Sequence, residues 1–152
     1  MREIPLKNYI ILIFLLIFTA LLTFWIFSFY SAKKAISPLY KYLNSIKIDE
    51  FNEYIMENPD SIIFAMTKND TSNSDNQKLI KKKIESERLK DYCIFLELNS
   101  QDEIRNINLK NYNKKIEYCP SVIFVESGKV SSIVCLNDIE IIKEKINEVV
   151  DD

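Results

Sequence analysis

Three cysteines and one run of polar side chains are the groups in this chain that could do chemistry. Cys93, Cys119 and Cys135 lie far apart and form no C-x-x-C pair, so neither a zinc knuckle nor a vicinal dithiol can be built. The polar run, residues 69–73, reads Asn-Asp-Thr-Ser-Asn. A free thiolate can act as a nucleophile, and polar groups at a helix start can bind an anion or a partner's carboxylate. The same polar residues are also typical of turns and helix caps.

Two absences exclude most familiar catalytic machinery. The chain has no histidine, which removes Ser-His-Asp and Cys-His nucleophile systems and His-ligated metal sites. Its one glycine, Gly128, leaves no Gly-rich phosphate loop and no dinucleotide fingerprint. We therefore expect no metal and no cofactor, and we favour a protein that is not an enzyme.

The charge balance gives no reason to expect nucleic acid. The chain has 20 basic and 22 acidic residues, and leaving out Arg2, Lys7 and Glu3 gives 18 and 21 from residue 33 onward, a net charge of −3. The one basic cluster, Lys81-Lys82-Lys83, is typical of a solvated helix face.

The N-terminal part predicts a single membrane anchor. Tyr9 to Tyr30 run for 22 positions without a charge, and a helix of this length reaches about 33 Å against a hydrocarbon core of about 30 Å. A cleaved signal is the rival interpretation, but a cut after Ala32 places Tyr30 at −3, where a small residue is required. We expect residues 1–8 to be a tail and residues 9–30 to contact membrane lipid.

The flanking charges bear on orientation in the membrane. Arg2 and Lys7 precede the anchor, and Lys33, Lys34 and Lys41 follow it. We expect a single-pass protein of the cell membrane. By the positive-inside rule this tally narrowly favours a cytoplasmic location for the domain after the anchor, and the side of the membrane on which the domain lies stays open.

Residues 31–48 predict a juxtamembrane stalk. Leu39, Tyr42, Leu43 and Ile46 fall on one helical face, so the segment either lies on the lipid surface or packs on the domain.

Residues 49–152 predict one α/β domain. A strand–helix–strand unit predicts a parallel strand pair, and two further strands flank Ser127-Gly128, whose glycine predicts a tight hairpin with positive φ. We expect a four-stranded mixed sheet with helices on both faces. The predicted elements are a helix at 49–57, a strand at 61–67, a helix at 74–89 with a Ser74–Gln77 capping box, a strand at 92–98, a weaker helical stretch at 101–115 anchored by Ile104 and Ile107, strands at 121–126 and 129–135, and a final helix after Asn137.

This order of elements, with Pro120 at the entrance of the hairpin, resembles the thioredoxin fold over residues 49–150. Residues 119–130, Cys-Pro-Ser-Val-Ile-Phe-Val-Glu-Ser-Gly-Lys-Val, are similar to the segment in which a cis-proline opens the third core strand and a glycine turn precedes the fourth. Membrane-anchored thioredoxin-like proteins of low-GC Gram-positive bacteria, some of them bacteriocin-export accessory proteins, look most similar. The resemblance implies a thioredoxin-like four-stranded mixed sheet after one transmembrane helix, with a Cys119-Pro120 bond able to be cis.

The chain departs from this family at its redox motif. The family places C-x-x-C just after the first core strand, and aligning residues 62–64 with that strand puts Asn69, Asp70, Thr71 and Ser72 in its position. These residues supply neither a nucleophilic nor a resolving thiol, so thioredoxin-type redox activity is not implied.

Cys119 allows two interpretations. It borders the surface that holds the motif in active relatives, and the start of the helix at Ser74 could lower its pKa, whereas Asp70 and Asp75 would disfavour a thiolate. Cys119 is therefore either a buried structural residue or the nucleophile of a monothiol oxidoreductase or peroxidase.

No disulfide is expected. In the strand order that the resemblance implies, Cys93 and Cys135 lie about 14 Å apart on opposite edges of the sheet. A regular hairpin sets Cys135 opposite Pro120, so that Cys119 and Cys135 point to opposite faces.

Three functions remain open. The first is a membrane-anchored, redox-inactive thioredoxin-like module that binds a protein or peptide and is accessory to export or envelope processes. The second is the monothiol enzyme, and the third is an accessory subunit of a larger membrane complex. The candidate binding residues are Asn69, Asp70, Thr71, Ser72, Cys119 and Pro120.

Overall fold

The computed structural model describes residues 6–34, 36–106 and 119–151. The chain divides into two compact units, Met1–Ala35 and Ile36–Asp152. The second unit therefore begins 13 residues before the predicted domain boundary at residue 49.

The first unit is helix α1, Leu6–Lys34. Its segment Asn8–Tyr30 has a mean hydropathy of 2.9 and no buried part, and it is long and apolar enough to cross a membrane, a test that a signal sequence also passes. The two threonine hydroxyls of this segment are bonded within the helix: Thr19 donates to the Leu16 carbonyl at 2.9 Å, and Thr23 donates to the Thr19 carbonyl at 3.0 Å. Apolar surroundings require such internal bonding.

The second unit is a mixed α/β fold in which most predicted elements are present. The weaker helical stretch is a 3-10 helix, Gln101–Asn106, with Ile104 fully buried, and the rest of that prediction, including Ile107, lies outside the described residues. The elements in chain order are strand β1 (Ser45–Lys47), helix α2 (Phe51–Glu57), strand β2 (Ser61–Thr67), helix α3 (Ser74–Ser86), strand β3 (Cys93–Leu98), strand β4 (Ser121–Glu126), strand β5 (Lys129–Cys135) and helix α4 (Ile139–Asp151).

The sheet has five strands in the order β1-β3-β2-β4-β5, so the predicted count of four is wrong. The predicted parallel pairing of β2 with β3 is confirmed, and β4 is antiparallel to both β2 and β5. The missed strand, β1, pairs in parallel with β3 at the edge of the sheet. It spans three residues, of which Ile46 alone is half-buried, so it leaves no alternating apolar pattern in the sequence.

Two apolar layers cover the faces of the sheet, because successive strand residues point to opposite sides. On β2, Ile62 and Phe64 pack with residues from α3, α4 and the segment before β1. Ile63 and Ala65 pack on the other face with residues from α2 and with Ile104. All six β2 residues from Ser61 to Met66 are buried, which explains their nearly continuous apolar run.

The segment 36–44, predicted as part of a stalk, is part of the folded unit. Leu39 is fully buried and Leu43 nearly so, and both belong to the core on the α3–α4 side of the sheet. Tyr42 lies beneath two ammonium groups, those of Lys81 and Lys90, at 4.8 and 5.0 Å from its ring centre. Of the two alternatives for this segment, packing on the domain is the one that the structure shows.

The β4–β5 hairpin has the predicted turn and an unpredicted bulge. Ser127 and Gly128 both have positive φ, +52° and +73°, as a two-residue hairpin turn requires. The pairing is regular at Val125↔Val130 and then shifts by one residue to Phe124↔Ser132, which leaves Ser131 as the extra residue. Beyond the bulge, every β5 residue faces a partner one position later than a regular hairpin would give.

Candidate functional site

The predicted binding residues lie at one end of the sheet. The loop 68–73 follows the carboxyl end of β2, and Cys119-Pro120 precedes β4, whose first residue, Ser121, pairs with Ala65 near that same end of β2. Two hydrogen bonds connect the start of α3, which follows this loop, with Pro120: the Asn76 amide donates to the Leu136 carbonyl at 3.1 Å, and the Leu136 N–H donates to the Pro120 carbonyl at 2.7 Å. The fold thus brings the two halves of the predicted surface to one end of the sheet.

The loop itself is held by turn chemistry. The carboxylate of Asp70 accepts hydrogen bonds from the backbone N–H of Ser72 at 2.9 Å and from its hydroxyl at 2.5 Å. Asn69, Thr71 and Ser72 are exposed, and Asp70 is half-buried. The Asp70 side chain therefore orders the loop, and its neighbours present their polar groups to solvent.

A shallow cleft of about 220 Å³ lies beside the loop and is lined by residues 71–76 at the start of α3. Asp75 is in this lining, and its hydrogen bond with the Lys78 ammonium, 2.8 Å long, lowers the pKa of its carboxyl. Asp75 therefore stays ionised at neutral pH. Because the Lys78 ammonium offsets the charge of Asp75, the lining of residues 71–76 offers mainly amide, hydroxyl and backbone groups and suits a polar, hydrogen-bonding ligand.

The predicted Ser74–Gln77 capping box is wrong, because the Gln77 side chain is buried. Its carbonyl accepts the Ser37 hydroxyl at 2.7 Å, and its amide donates to the Asp70 carbonyl at 3.0 Å. Ser37 and Gln77 are both fully buried, and the Ser37 N–H donates to the Lys68 carbonyl at 2.9 Å.

This buried bridge links the segment after α1 with the candidate loop, and the sequence analysis missed it. One signal was available: Gln77 lies at helical spacing from Ile80 and Ile84, the two buried apolar residues of α3. Its position on this stripe indicates a buried amide rather than a capping group.

Cys119 and Cys135 form a disulfide, so the expectation that no cysteines pair is wrong. Their Cα atoms are 5.8 Å apart, within the usual range for a disulfide. The bulge is the physical reason: it sets Cys135 opposite Ser121, and Ser121 shares a face with Cys119 two residues earlier.

The backbone around Cys119 is tightly bonded. Its carbonyl accepts the Gln101 side-chain amide at 2.6 Å and the Ser121 hydroxyl at 2.9 Å. The Cys119-Pro120 bond is trans, since no cis peptide bond occurs in the described ranges. The cis form that the resemblance allows at this proline is therefore not adopted.

Cys93 is the free cysteine among the described residues, and it is buried in β3. Burial raises the pKa of its thiol from 9.0 to about 12. A thiol in this state is not a nucleophile at neutral pH. Its strand, β3, lies three positions from β5 in the sheet order, as predicted, but the expectation that Cys93 is on an edge of the sheet is wrong, because β1 lies outside β3.

The structure gives no sign of a metal centre within residues 6–34, 36–106 and 119–151, where no three His, Cys, Asp or Glu side chains are grouped to hold an ion.

Comparisons with known proteins assign no family. No family model matches the chain, and no curated protein matches it. Among solved structures, it is similar to a crystal structure of a designed protein at a TM-score of 0.48 and 13% identity, covering 71% of this chain and 97% of that one. Similarity at this level supports no inference about family or function.

Proposed function

We propose that this protein is a membrane-anchored, redox-inactive thioredoxin-like module that binds a protein or peptide. One observation carries the proposal: the position for a redox motif after β2 holds Asn69-Asp70-Thr71-Ser72, and the chain's thiols are committed elsewhere. Cys93 is buried with a raised pKa, and Cys119 is bonded to Cys135. A scaffold without an available thiolate retains its surface for recognition.

Support for the thioredoxin-like part comes from the sheet. Its four long strands lie in the order β3-β2-β4-β5, as the resemblance implies, with a parallel β2–β3 pair and a proline directly before β4. The additional strand β1 extends this arrangement by one edge strand. Support for the anchor comes from the length and apolarity of Asn8–Tyr30.

The state of Cys119 counts against the monothiol interpretation. A sulfur bonded to Cys135 has no thiolate to attack a disulfide or peroxide, and Cys93 cannot replace it. The enzyme alternative therefore requires prior reduction of Cys119.

The contacts of the candidate surface indicate which of its groups bind a partner. The Cys119 and Pro120 carbonyls already accept hydrogen bonds, so they contribute little to strand-like pairing with an extended peptide. Asn69, Thr71 and Ser72 are exposed beside the cleft. We therefore assign recognition to the loop, whose exposed amide and hydroxyl groups suit hydrogen-bonding groups on the partner.

Site-specific photo-crosslinking of the full-length protein in isolated membranes tests this proposal. A photoreactive residue in place of Thr71 is expected to give a discrete adduct, and the same residue in place of Asn52, exposed on α2, is expected to give none. Adding Asn69→Ala is expected to reduce the adduct at position 71 at least threefold, and Asn52→Ala is expected to leave it unchanged. Equal adduct yields at positions 71 and 52 would contradict the assignment.

A further inference from the structure

The Cys119–Cys135 pair depends on the irregular register of the hairpin. A regular hairpin directs the two side chains to opposite faces, and the single extra residue, Ser131, returns them to one face. The hydrogen bond from the Leu136 N–H to the Pro120 carbonyl continues the shifted register past Cys135, as far as the residue next to Cys119. The backbone therefore presents the two sulfurs to each other, and their meeting is a property of the fold.

Both bonded cysteines are half-buried, so soluble reductants and oxidants have access to the pair. In a reducing cytosol, thiol systems keep accessible pairs of this kind in the dithiol form, whereas oxidising compartments preserve them as disulfides. Cys93 in β3 is only 4% exposed, so its thiol is protected from soluble oxidants and reductants in either compartment.

We infer that the soluble unit, residues 36–152, lies on the oxidising side of the membrane, opposite the cytosol, and that Cys119 and Cys135 are oxidised there by an exogenous disulfide. In this exchange the thiolate of one cysteine attacks the exogenous disulfide and expels one thiol. The thiolate of the other then displaces the second thiol from the mixed disulfide. The exogenous disulfide is reduced to two thiols by two electrons and two protons from the protein's cysteines, and one S–S bond forms in the protein.

The flanking charges do not oppose this orientation strongly. Two basic side chains, Arg2 and Lys7, precede the anchor, and three, Lys33, Lys34 and Lys41, follow it, a difference of one. The narrow preference for a cytoplasmic domain rests on that difference. A disulfide in the folded unit is the stronger argument, because it reports the compartment of the domain itself.

The inference uses the anchor of the proposed function and is independent of its partner-binding part. Membrane fractionation with a carbonate wash separates the two: loss of the protein from the washed membrane fraction contradicts the anchor, whatever the state of the cysteines.

Thiol counting in cells tests the disulfide. Cells that express the full-length protein are quenched in acid, denatured and labelled with a maleimide–polyethylene glycol that adds a fixed mass per thiol. In the wild-type protein, one labelled thiol, that of Cys93, is expected without reductant, and three labelled thiols are expected after reduction. In the Cys93→Ala variant, no labelled thiol is expected without reductant, and two are expected after reduction. Three labelled thiols without reductant in the wild-type protein overturn the inference.

A second measurement tests the side of the membrane without relying on the disulfide. In a variant with all three cysteines changed to alanine, Asn52→Cys places one thiol on the exposed face of α2. A membrane-impermeant maleimide is expected to label it on intact cells as fully as on permeabilised cells. Labelling that appears only after permeabilisation places the unit in the cytosol and overturns the inference.

Discussion

The three cysteines show how strongly the surroundings of a residue decide its chemistry. Cys93 is the first residue of β3 and is buried among apolar side chains, which disfavour its thiolate and raise its pKa to about 12. Cys119 lies two residues before β4 and Cys135 is the last residue of β5; both are half-buried and they are bonded to each other. The same side-chain type is therefore a core residue in one position and half of a covalent cross-link in the other two.

The buried Cys93 thiol predicts a loss of stability at high pH. The unfolded thiol ionises near its ordinary pKa of 9.0 and the folded thiol does so only near 12, so between these values the folded state holds a proton that the unfolded state has lost. Stability is unaffected below the lower pKa and falls as pH rises above it, by about 1.4 kcal/mol per pH unit. Urea unfolding of a soluble fragment, residues 36–152, between pH 8 and 10 measures this effect.

The Cys93→Ala variant is the matched control for that series. It is expected to be less stable at pH 8 because it leaves a small cavity, and to lack the additional loss above pH 9. A parallel decline of both proteins with pH would show that other groups are responsible.

At the scale of elements, the β4–β5 hairpin determines how the candidate site is assembled. Its turn is held by the loop between α2 and β2: the Ser127 N–H donates to the Asp60 carboxylate at 2.8 Å, and the Gly128 N–H donates to the Pro59 carbonyl at 2.8 Å. Its other end carries the disulfide. A turn fixed at one end and a bulge in the middle together set the register at Cys135.

The turn predicts a specific cost for substitution of its glycine. Gly128 has φ +73°, and a Cβ atom there would meet no atom within 4 Å, so strain in the backbone is the only expected penalty. Gly128→Ala is expected to reduce the free energy of unfolding by about 1–2 kcal/mol. Asparagine tolerates positive φ better, so Gly128→Asn is expected to cost less than the alanine variant. Thermal unfolding of the two variants beside the wild-type protein checks the order, and equal costs would exclude a conformational cause.

At the scale of the whole molecule, the folded unit begins 13 residues earlier in the chain than the predicted boundary at residue 49. Leu39 and Leu43 fill part of the core, and the buried Ser37–Gln77 bridge reaches the candidate loop. The Asn44 carbonyl also accepts the Phe95 N–H at 2.9 Å, just before β1 joins β3. Residues 36–47 are therefore required to complete both the core and the sheet.

Two soluble fragments test this boundary. A fragment that starts at Ile36 is expected to unfold cooperatively. One that starts at Asp49, the predicted boundary, loses two buried leucines, each of which stabilises a core by about 2–5 kcal/mol, against a total stability of about 5–15 kcal/mol. The shorter fragment is expected to show no cooperative transition in circular dichroism. A transition at the same midpoint as that of the longer fragment would mean that the segment contributes nothing.

Much of the fold follows from local patterns. The buried strands β2, β3 and β4 are continuous apolar runs, and the amphipathic helices α3 and α4 show their stripes directly. The positive φ at Gly128 follows from the only glycine standing between two strands. The grouping of the candidate loop with Cys119-Pro120 as one surface came from the thioredoxin resemblance and not from a local pattern.

By itself, the sequence determined the apolar N-terminal helix and the absence of a dithiol after β2, because both follow from the residues of one segment. The α/β class and the parallel β2–β3 pair followed from the order of elements along the chain. Only the tertiary structure decided the fifth strand, the bonding partners of the Gln77 side chain and the Cys119–Cys135 bond. Each of these depends on contacts between residues distant in the chain. One extra residue in β5 changes which face a cysteine occupies, and that register is decided by strand pairing, which leaves no local signal.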